Sequence, residues 1–557
     1  MTPELKSTII KRQRAFHDLG PNSIQYKSYR NTVNRKRKLC KSKFYESKIQ
    51  HLKDKDPKRW WNEVKRLSGS LLRSGDLRNC INVPELNDLP PEDLANSLNG
   101  ALLEPLQEYR LDDPLVPLPL EDAPEFLEVP EHQVYQLLCK LDSNKACGPD
   151  GIPNWLLKEY AVFLAYPITK VLNASFKEQR LPSMWKLADV TPIPKRKPVK
   201  AVKKDLRPIS LTPCLSKLAE DLVVTNYVKP AALRVLDDRQ YGAVPKSSTT
   251  LALLEMIHRW TNATDGNGSS VRTILFDYRK AFDLIDHKIL ITKLSTLNLP
   301  HSIINWIIDF LTNRQQRTKL AEGCVSEWGL VPSGVPQGTK LGPWLFVIII
   351  NDLSILDALL WKYVDDTTVS EIIPKGQSSS AQEYVDSVAD WSADNRFQLN
   401  IDKCKEIRIS FSKNNADLPP LFINGQELEV VQNAKLLGVT ITNNLSWNLH
   451  INETIKKASK RLYFLRQLKR ARVSTSDLVR FYTCCIRSVC DYAVPVFHSS
   501  LPNYLINDLE RVQKRALSII CPHLSYNKSL AFLDRDSLFD HHSFLCSSLF
   551  SEILDDE

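Results

Sequence analysis

The sequence lacks several features that would fix its class at once. No apolar run reaches membrane length. The longest, Trp344 to Ile350, falls far short of the ~20 residues a bilayer-spanning helix needs. The N-terminus, Met-Thr-Pro-Glu-Leu-Lys, has no apolar signal core. The expectation is a soluble, intracellular chain in nucleus or cytoplasm, with no membrane partner. The 12 cysteines include no CxxC pair, which removes the usual zinc frameworks and suggests buried or reduced thiols. Cys521–His523 and His541–His542–Cys546 are the nearest approach to metal spacing. Low complexity and internal repeats are missing too, and 43% hydrophobic with 25% charged residues describes an ordinary globular chain. The first 70 residues lack acid. They hold 19 Lys and Arg against 6 Asp and Glu, or +13, in a chain of formal charge +10, so the remainder sums to −3. The basic excess, and the polyanionic partner it implies, belongs to the N-terminus.

A chain of 557 residues exceeds what one core supports, so three or four packed units are expected. Residues 1–83 read as a basic helical extension, with Tyr26, Tyr29, Phe44, Tyr45, Trp60 and Trp61 interleaved and Arg35-Lys36-Arg37-Lys38 as the densest cluster. Lys and Arg there can neutralise phosphates while aromatics stack on bases. The alternative is a solvated basic face whose aromatics form a small core. The same cluster also fits a nuclear import signal. Residues 84–128 alternate proline with acid and read as a linker carrying one helix, Glu92–Tyr109. Residues 129–445 alternate helices (Leu251–Thr261, Ile303–Leu311) with strands (Arg272–Phe276, Trp361–Val364, Glu406–Ser410, Lys435–Ile441). Residues 446–557 are helical, with Leu509, Val512, Ala516 and Ile519 as an apolar stripe. The fold class is α+β.

Three segments carry chemistry. In Ile274–Asp283 an apolar strand delivers Asp277 where the chain turns towards a helix. In Trp361–Val369 strand formers flank Asp365 and Asp366, as at the tip of a hairpin. Successive strand residues face opposite ways, so the two acids converge only if a turn lies at or beside them. A divalent cation explains such like charges, because it keeps neighbouring carboxylates ionised; a solvated acidic turn is the simpler reading of the pair alone. Hard oxygen ligands suit Mg2+, and two ions about 3.5–4 Å apart can activate a hydroxyl and stabilise a leaving pyrophosphate. Between the acids lies Pro332–Pro343, a Gly/Pro-rich loop in which backbone can approach a nucleotide and Gln337 offers both donor and acceptor.

The order FDYRKAFD, SGVPQGTKLGP, YVDD resembles motifs A, B and C of reverse transcriptases, specifically those of jockey-like, non-LTR (LINE-type) retrotransposons. Lys145–Ile152, Ile193-Pro194-Lys195, Leu206–Leu211, Gln240-Tyr241-Gly242, Leu399–Lys403 and Lys435–Val439 are similar to the family's other blocks, in family order. The resemblance implies a right-hand polymerase of fingers, palm and thumb, with an antiparallel palm sheet and a thumb in residues 446–557. It assigns catalysis and metal binding to Asp277, Asp365 and Asp366, with two Mg2+ ions or Mn2+ as substitute. It makes Phe282 the gate that rejects a 2′-hydroxyl, sets Lys195 and Arg207 on the incoming triphosphate, and puts Gln337 against the nascent base pair. Lys403 either protonates the departing pyrophosphate or is structural. Lys435, Leu436, Leu437 and Gly438 form the primer grip. Implied partners are an RNA template, a DNA primer or target, and deoxynucleotides. No endonuclease is read before the fingers and no RNase H after the thumb, so an endonuclease acting in trans, or a truncated copy, is expected. The alternative function is a catalytically silent element protein that binds nucleic acid without turnover. Phe282 and Val364-Asp365-Asp366 disfavour an RNA-dependent RNA polymerase.

Overall fold

A computed structural model describes residues 2–53, 77–86, 88–266, 268–320, 323–411 and 418–555; of 38, 41–53 and 79 it describes the backbone alone. Trp60 and Trp61 therefore lie outside the described residues, as do the side chains of Phe44 and Tyr45. The chain divides into two compact units. One comprises residues 75–438 and 442–445, the other 1–74, 439–441 and 446–557.

The two largest sheets of the first unit, among the described residues, have four and five strands. Strands β1 (Leu187–Pro194) and β2 (Leu206–Leu211) pair antiparallel, while β1 runs parallel to β4 (Arg314–Thr318), which pairs with β5 (Gly329–Val331). The second sheet is built around β3 (Ser270–Phe276), antiparallel to β7 (Asp366–Ile373) on one side and β8 (Lys405–Ile409) on the other. Strand β6 (Leu359–Tyr363) pairs antiparallel with β7, and the short strand Glu429–Val430 runs parallel to β8 at the far edge. The sheet expected to be antiparallel is so except at that edge. As the central strand, β3 is buried on both faces, which explains its near-continuous apolar run. Arg272 interrupts it, yet is 1% exposed because Nε donates to Glu406 at 2.8 Å and the other guanidinium nitrogens donate to Ser379 and the Pro419 carbonyl. Breaking such a buried pair from one side costs about 3–5 kcal/mol.

Helices cover this sheet. Thr249–Thr264 is capped by Ser248, whose hydroxyl accepts from the Leu251 amide, and its Trp260 donates to Ser370 on β7. Gly342–Ile350, apolar all round, is buried on nearly every side. The segment 84–128, read as a linker, is part of this unit. Its helix Pro91–Leu103 buries Leu94 and Leu98, and Asn99 exchanges hydrogen bonds with Gln316. Further on, the Leu118 amide and carbonyl both bond Asn305. Prolines here punctuate an extended path whose apolar residues plug the surface.

The second unit is helical. Pro3–Leu19 and Ile24–Lys53 pack against each other, tied by Lys36 to Glu4 at 2.7 Å, and Phe16 lies 5.3 Å from Tyr26. Tyr26 and Tyr29 are thus half-buried rather than free for stacking. Among the later helices, Asn503–Ile520 buries Leu509, Val512 and Ala516, but Leu517 and Ile520 face inward where the apolar stripe predicted Ile519. No described helix is long and apolar enough to cross a membrane.

Candidate active site

Strand β3 ends at Phe276, so Asp277 emerges just beyond the middle of the sheet. Phe276 registers with Thr367, and Tyr363 with Asp366, which sets the Val364-Asp365 turn and the head of β7 beside it. The convergence demanded by two consecutive acids is met by a two-residue hairpin turn, in which Val364 has φ 58°. A β-branched residue is strained there, by on the order of 1–3 kcal/mol. Asp277 accepts from Asn400 at 3.0 Å and from the Lys403 ammonium at 2.9 Å, while its amide donates to the Cys404 thiol. Asp365 is held above the usual carboxylate range by burial and by Asp277, and Arg207 and Lys403 oppose that rise. Asp366 is pushed up to about 6 by burial and by Asp365 and Asp277, although it still reaches solvent. Among the described residues no three His, Cys, Asp or Glu groups form a ready-made metal cage. Lys403 sets a positive charge against Asp277 within this acidic group.

Asp277 and Asp365 border a cavity of about 410 Å³ that also receives Lys195, Arg207, Phe282, Gln337 and Lys403. Lys195 and Arg207 meet because β1 and β2 pair, Ile193 facing Arg207, and the Lys195 amide donates to the Asp205 carbonyl at 2.7 Å. The Lys195 ammonium is destabilised by burial, then by Lys403 and Arg207. Phe282 stacks on Phe346 with ring centroids 4.6 Å apart, which fixes its ring at the cavity wall.

The Gly/Pro-rich loop is anchored at several points. At Gly334 (φ 75°) an added Cβ would meet the Asp283 carbonyl oxygen at 2.2 Å, so only glycine fits against that strand end. Gln337 donates to Asp283 at 3.0 Å, and its carbonyl accepts from the Ser210 amide at 2.9 Å. Burial raises the Asp283 carboxyl to about 6, against the pull of Lys280 and Gln337. The loop's end is capped by Glu220, fully buried, which accepts from the Lys340 amide at 2.7 Å and from Ser216. Burial raises its carboxyl, and the amide hydrogen bonds counter this. Sequence reasoning missed Asp283, Glu220, Asn400 and Cys404 as site residues. Asp283 and Asn400 stood inside quoted motifs; Glu220 had no local signal.

Lys435 to Gly438 do not line the cavity. Leu437 (φ 45°) and Gly438 (φ 91°) turn left-handed, and the Asn443 amide donates to the Gln432 carbonyl at 2.9 Å, closing the base of a hairpin. Within the second unit, His541 and His542 both face Asp491, and Cys521 and Cys546 are free thiols.

The reverse transcriptase (RNA-dependent DNA polymerase) family matches residues 193–441, and the N-terminal segment of alkylated DNA repair protein alkB homolog 8 matches residues 447–488. A probable RNA-directed DNA polymerase from transposon BS of Drosophila melanogaster is 26% identical over 73% of this chain and 46% of its own length. The RNA-directed DNA polymerase from mobile element jockey of the same species is 25% identical over 77% and 46%. The chain thus spans about half the length of the curated relatives it matches. Among solved structures, apo telomerase from Candida tropicalis, truncated from the C-terminal domain, is 14% identical with a TM-score of 0.32 over 51% of this chain and 60% of that one, too low to compare folds. Residues 193–441 are a reverse transcriptase domain of the non-LTR, LINE-type retrotransposon kind.

Proposed function

We propose that the chain is an RNA-directed DNA polymerase that adds deoxynucleotides to a primer 3′-hydroxyl on an RNA template during retrotransposition. The observation that carries this reading is the meeting of Asp277 and Asp365, with Asp366 adjoining, at a cavity that also holds Phe282, Gln337 and Arg207. The donor set fits divalent cations: hard carboxylate oxygens, with Asp365 held above its ordinary range by burial and by Asp277, and Asp366 by burial and by Asp365 and Asp277. Asp277 and Asp365 would hold two Mg2+ ions, or Mn2+, with Asp366 completing the set, and the ions would supply charge neutralisation for primer hydroxyl and triphosphate. Arg207 and Lys195 grip phosphate oxygens through charge-assisted hydrogen bonds. The Phe282 ring, braced by Phe346, occupies the space a 2′-hydroxyl needs. Gln337, fixed by Asp283, presents the loop to the nascent pair. The Lys403 Nζ lies 2.9 Å from Asp277, so it is placed both to tether that carboxylate and to deliver a proton to departing pyrophosphate.

The remaining assignments follow the same reading. Lys435 to Gly438 grip the primer end, and residues 446–557 serve as the thumb. Residues 1–83 contact nucleic acid, with Lys and Arg neutralising phosphates, while Tyr26 packs on Phe16.

The test is primer extension on poly(rA) annealed to oligo(dT) with Mg2+, supplied with dTTP or UTP, for the wild-type chain and Asp365→Ala. Extension with dTTP alone, lost in the variant, supports the reading. A folded wild-type chain that binds the duplex without extending it makes this a nucleic-acid-binding element protein without turnover.

A further inference from the structure

The acidic turn is held from one side by the segment Arg239–Gly242, which lies along the edge of β6. The Lys362 amide donates to the Arg239 carbonyl and the Tyr241 amide to the Lys362 carbonyl, each at 2.8 Å, so Gln240 bridges Lys362 in parallel. The Gln240 side chain, 3% exposed, then reaches past the end of the strand. Its Oε1 accepts from the Val364 amide at 3.0 Å and from the Gly242 amide at 2.9 Å. Both partners are obligate backbone donors, so the orientation of the carboxamide is forced rather than chosen. The consequence is an Nε2 that is buried with no partner among the described residues. Leaving a donor unsatisfied is unfavourable, and a leucine of similar size would avoid it. The acceptor end is what the position demands.

Two neighbours tighten this contact. A Cβ at Gly242 would meet the Val364 amide nitrogen at 2.4 Å, so only bare backbone can lie this close to the turn. The segment itself is anchored by Asp237. It accepts from Arg239 and, at 2.8 Å, from the Lys362 ammonium, which is 0% exposed and also donates to the Asn351 and Leu353 carbonyls. The residue so clamped is Val364, left-handed and β-branched, immediately before Asp365. Left to itself this turn would relax towards φ below zero and carry the Asp365 carboxylate away from Asp277.

We propose that Gln240 is a positioning residue for catalysis: its carboxamide oxygen, with Gly242 beneath, locks the strained Val364-Asp365 turn so that the carboxylates face one another across the cation site. The inference rests on the polymerase reading, but it concerns geometry that can be measured without turnover.

Gln240→Leu, Gln240→Glu and the double variant Gln240→Leu/Val364→Gly are compared with the wild-type full chain by Mn2+ titration followed by electron paramagnetic resonance, and by single-turnover dTTP incorporation. A misplacement of reacting groups by about 1 Å is worth about 100-fold in rate. Gln240→Leu should weaken Mn2+ binding at least about tenfold and lower the incorporation rate about 100-fold, with duplex affinity unchanged. Gln240→Glu, which keeps the acceptor, should retain Mn2+ binding within a few-fold of wild type. Glycine tolerates positive φ without a clamp, so Val364→Gly should restore Mn2+ affinity to the Gln240→Leu chain. Wild-type Mn2+ affinity in Gln240→Leu, or loss that Val364→Gly does not repair, overturns the proposal. A wild-type chain that binds Mn2+ but never extends a primer defeats the polymerase reading alone, and the Mn2+ series still decides the clamp.

Discussion

Asp277 follows the central strand of a five-stranded sheet and Asp365 sits in the turn joining its edge strand β6 to β7, whereas Lys195 and Arg207 enter the same cavity from the ends of two strands in another sheet. The acidic side is short-armed and tightly held: one carboxylate is bonded by Asn400 and Lys403, the other sits in a turn fixed by Gln240. The basic side is long-armed and exposed. The difference follows from what each side is proposed to hold. Cation ligands must lie within about half an ångström of their places. A triphosphate offers many oxygens, and flexible guanidinium and ammonium groups can find them.

The largest effect that comparison predicts is on the acidic side. Asp277→Asn keeps the hydrogen bond from Asn400 but removes the charge, and should lower single-turnover incorporation by about 10³-fold or more, several kcal/mol of transition-state stabilisation. Activity within tenfold of wild type would show that the fixed side is not where charge matters. On the flexible side, Arg207→Ala should reduce kcat/KM for dTTP by about 10–100-fold, the worth of a hydrogen bond between charged groups. Lys195→Ala, beside Arg196 and Lys197, should cost less. Equal losses at Lys195 and Arg207 would break the distinction between them. At the wall, Phe282→Val opens the space proposed to exclude a 2′-hydroxyl. Relief of an overpacked contact worth about 1–3 kcal/mol should improve UTP relative to dTTP by about 10–100-fold in competition assays.

Much of this was legible before the structure, and the reason is local. A strand that ends in Asp277, a hairpin that carries Asp365 and Asp366, and a glycine-rich loop bearing Gln337 each declare themselves within about ten residues. The helices at Thr249–Thr264 and His301–Leu311 follow from apolar spacing in the same way. What was illegible acts across the chain. Glu220 meets the Lys340 amide 120 residues away, and Gln240 meets Val364 across 124. Arg272 reads as an error in a buried strand until Glu406 appears opposite. Within 84–128 the expected helix is present, as Pro91–Leu103 continued by Glu104–Tyr109, but the prolines hid how closely the rest of the stretch packs on its unit, because proline marks an absence of regular structure, not an absence of packing. Leu98 and Tyr109 are as buried as any strand residue. Among the basic N-terminal residues, charge was readable but the fate of the aromatics was not, since Tyr26 could stack on a base or on Phe16 with the same periodicity.

The last effect expected is one of stability rather than activity, and its sign separates the acid that anchors the loop from the acids of the turn. Asp283 accepts from Gln337, and its carboxyl is raised from 3.8 to about 6 by burial. A raised carboxyl means that between about pH 4 and pH 6 the folded chain binds a proton that the unfolded chain has already released. Stability therefore falls as pH rises through that window, and the penalty is complete above about pH 6. Asp283→Asn keeps the acceptor for Gln337 but cannot ionise. It should raise stability at pH 7.5 by up to about 3 kcal/mol and leave it unchanged near pH 4, as read by urea unfolding at both values. If Asp283→Asn is neutral at pH 7.5, the carboxylate is adequately neutralised by Lys280, and the loop is anchored by an ion pair. If the gain appears only at high pH, this side of the cavity carries a strained acid whose ionisation opposes folding but leaves Gln337 in place.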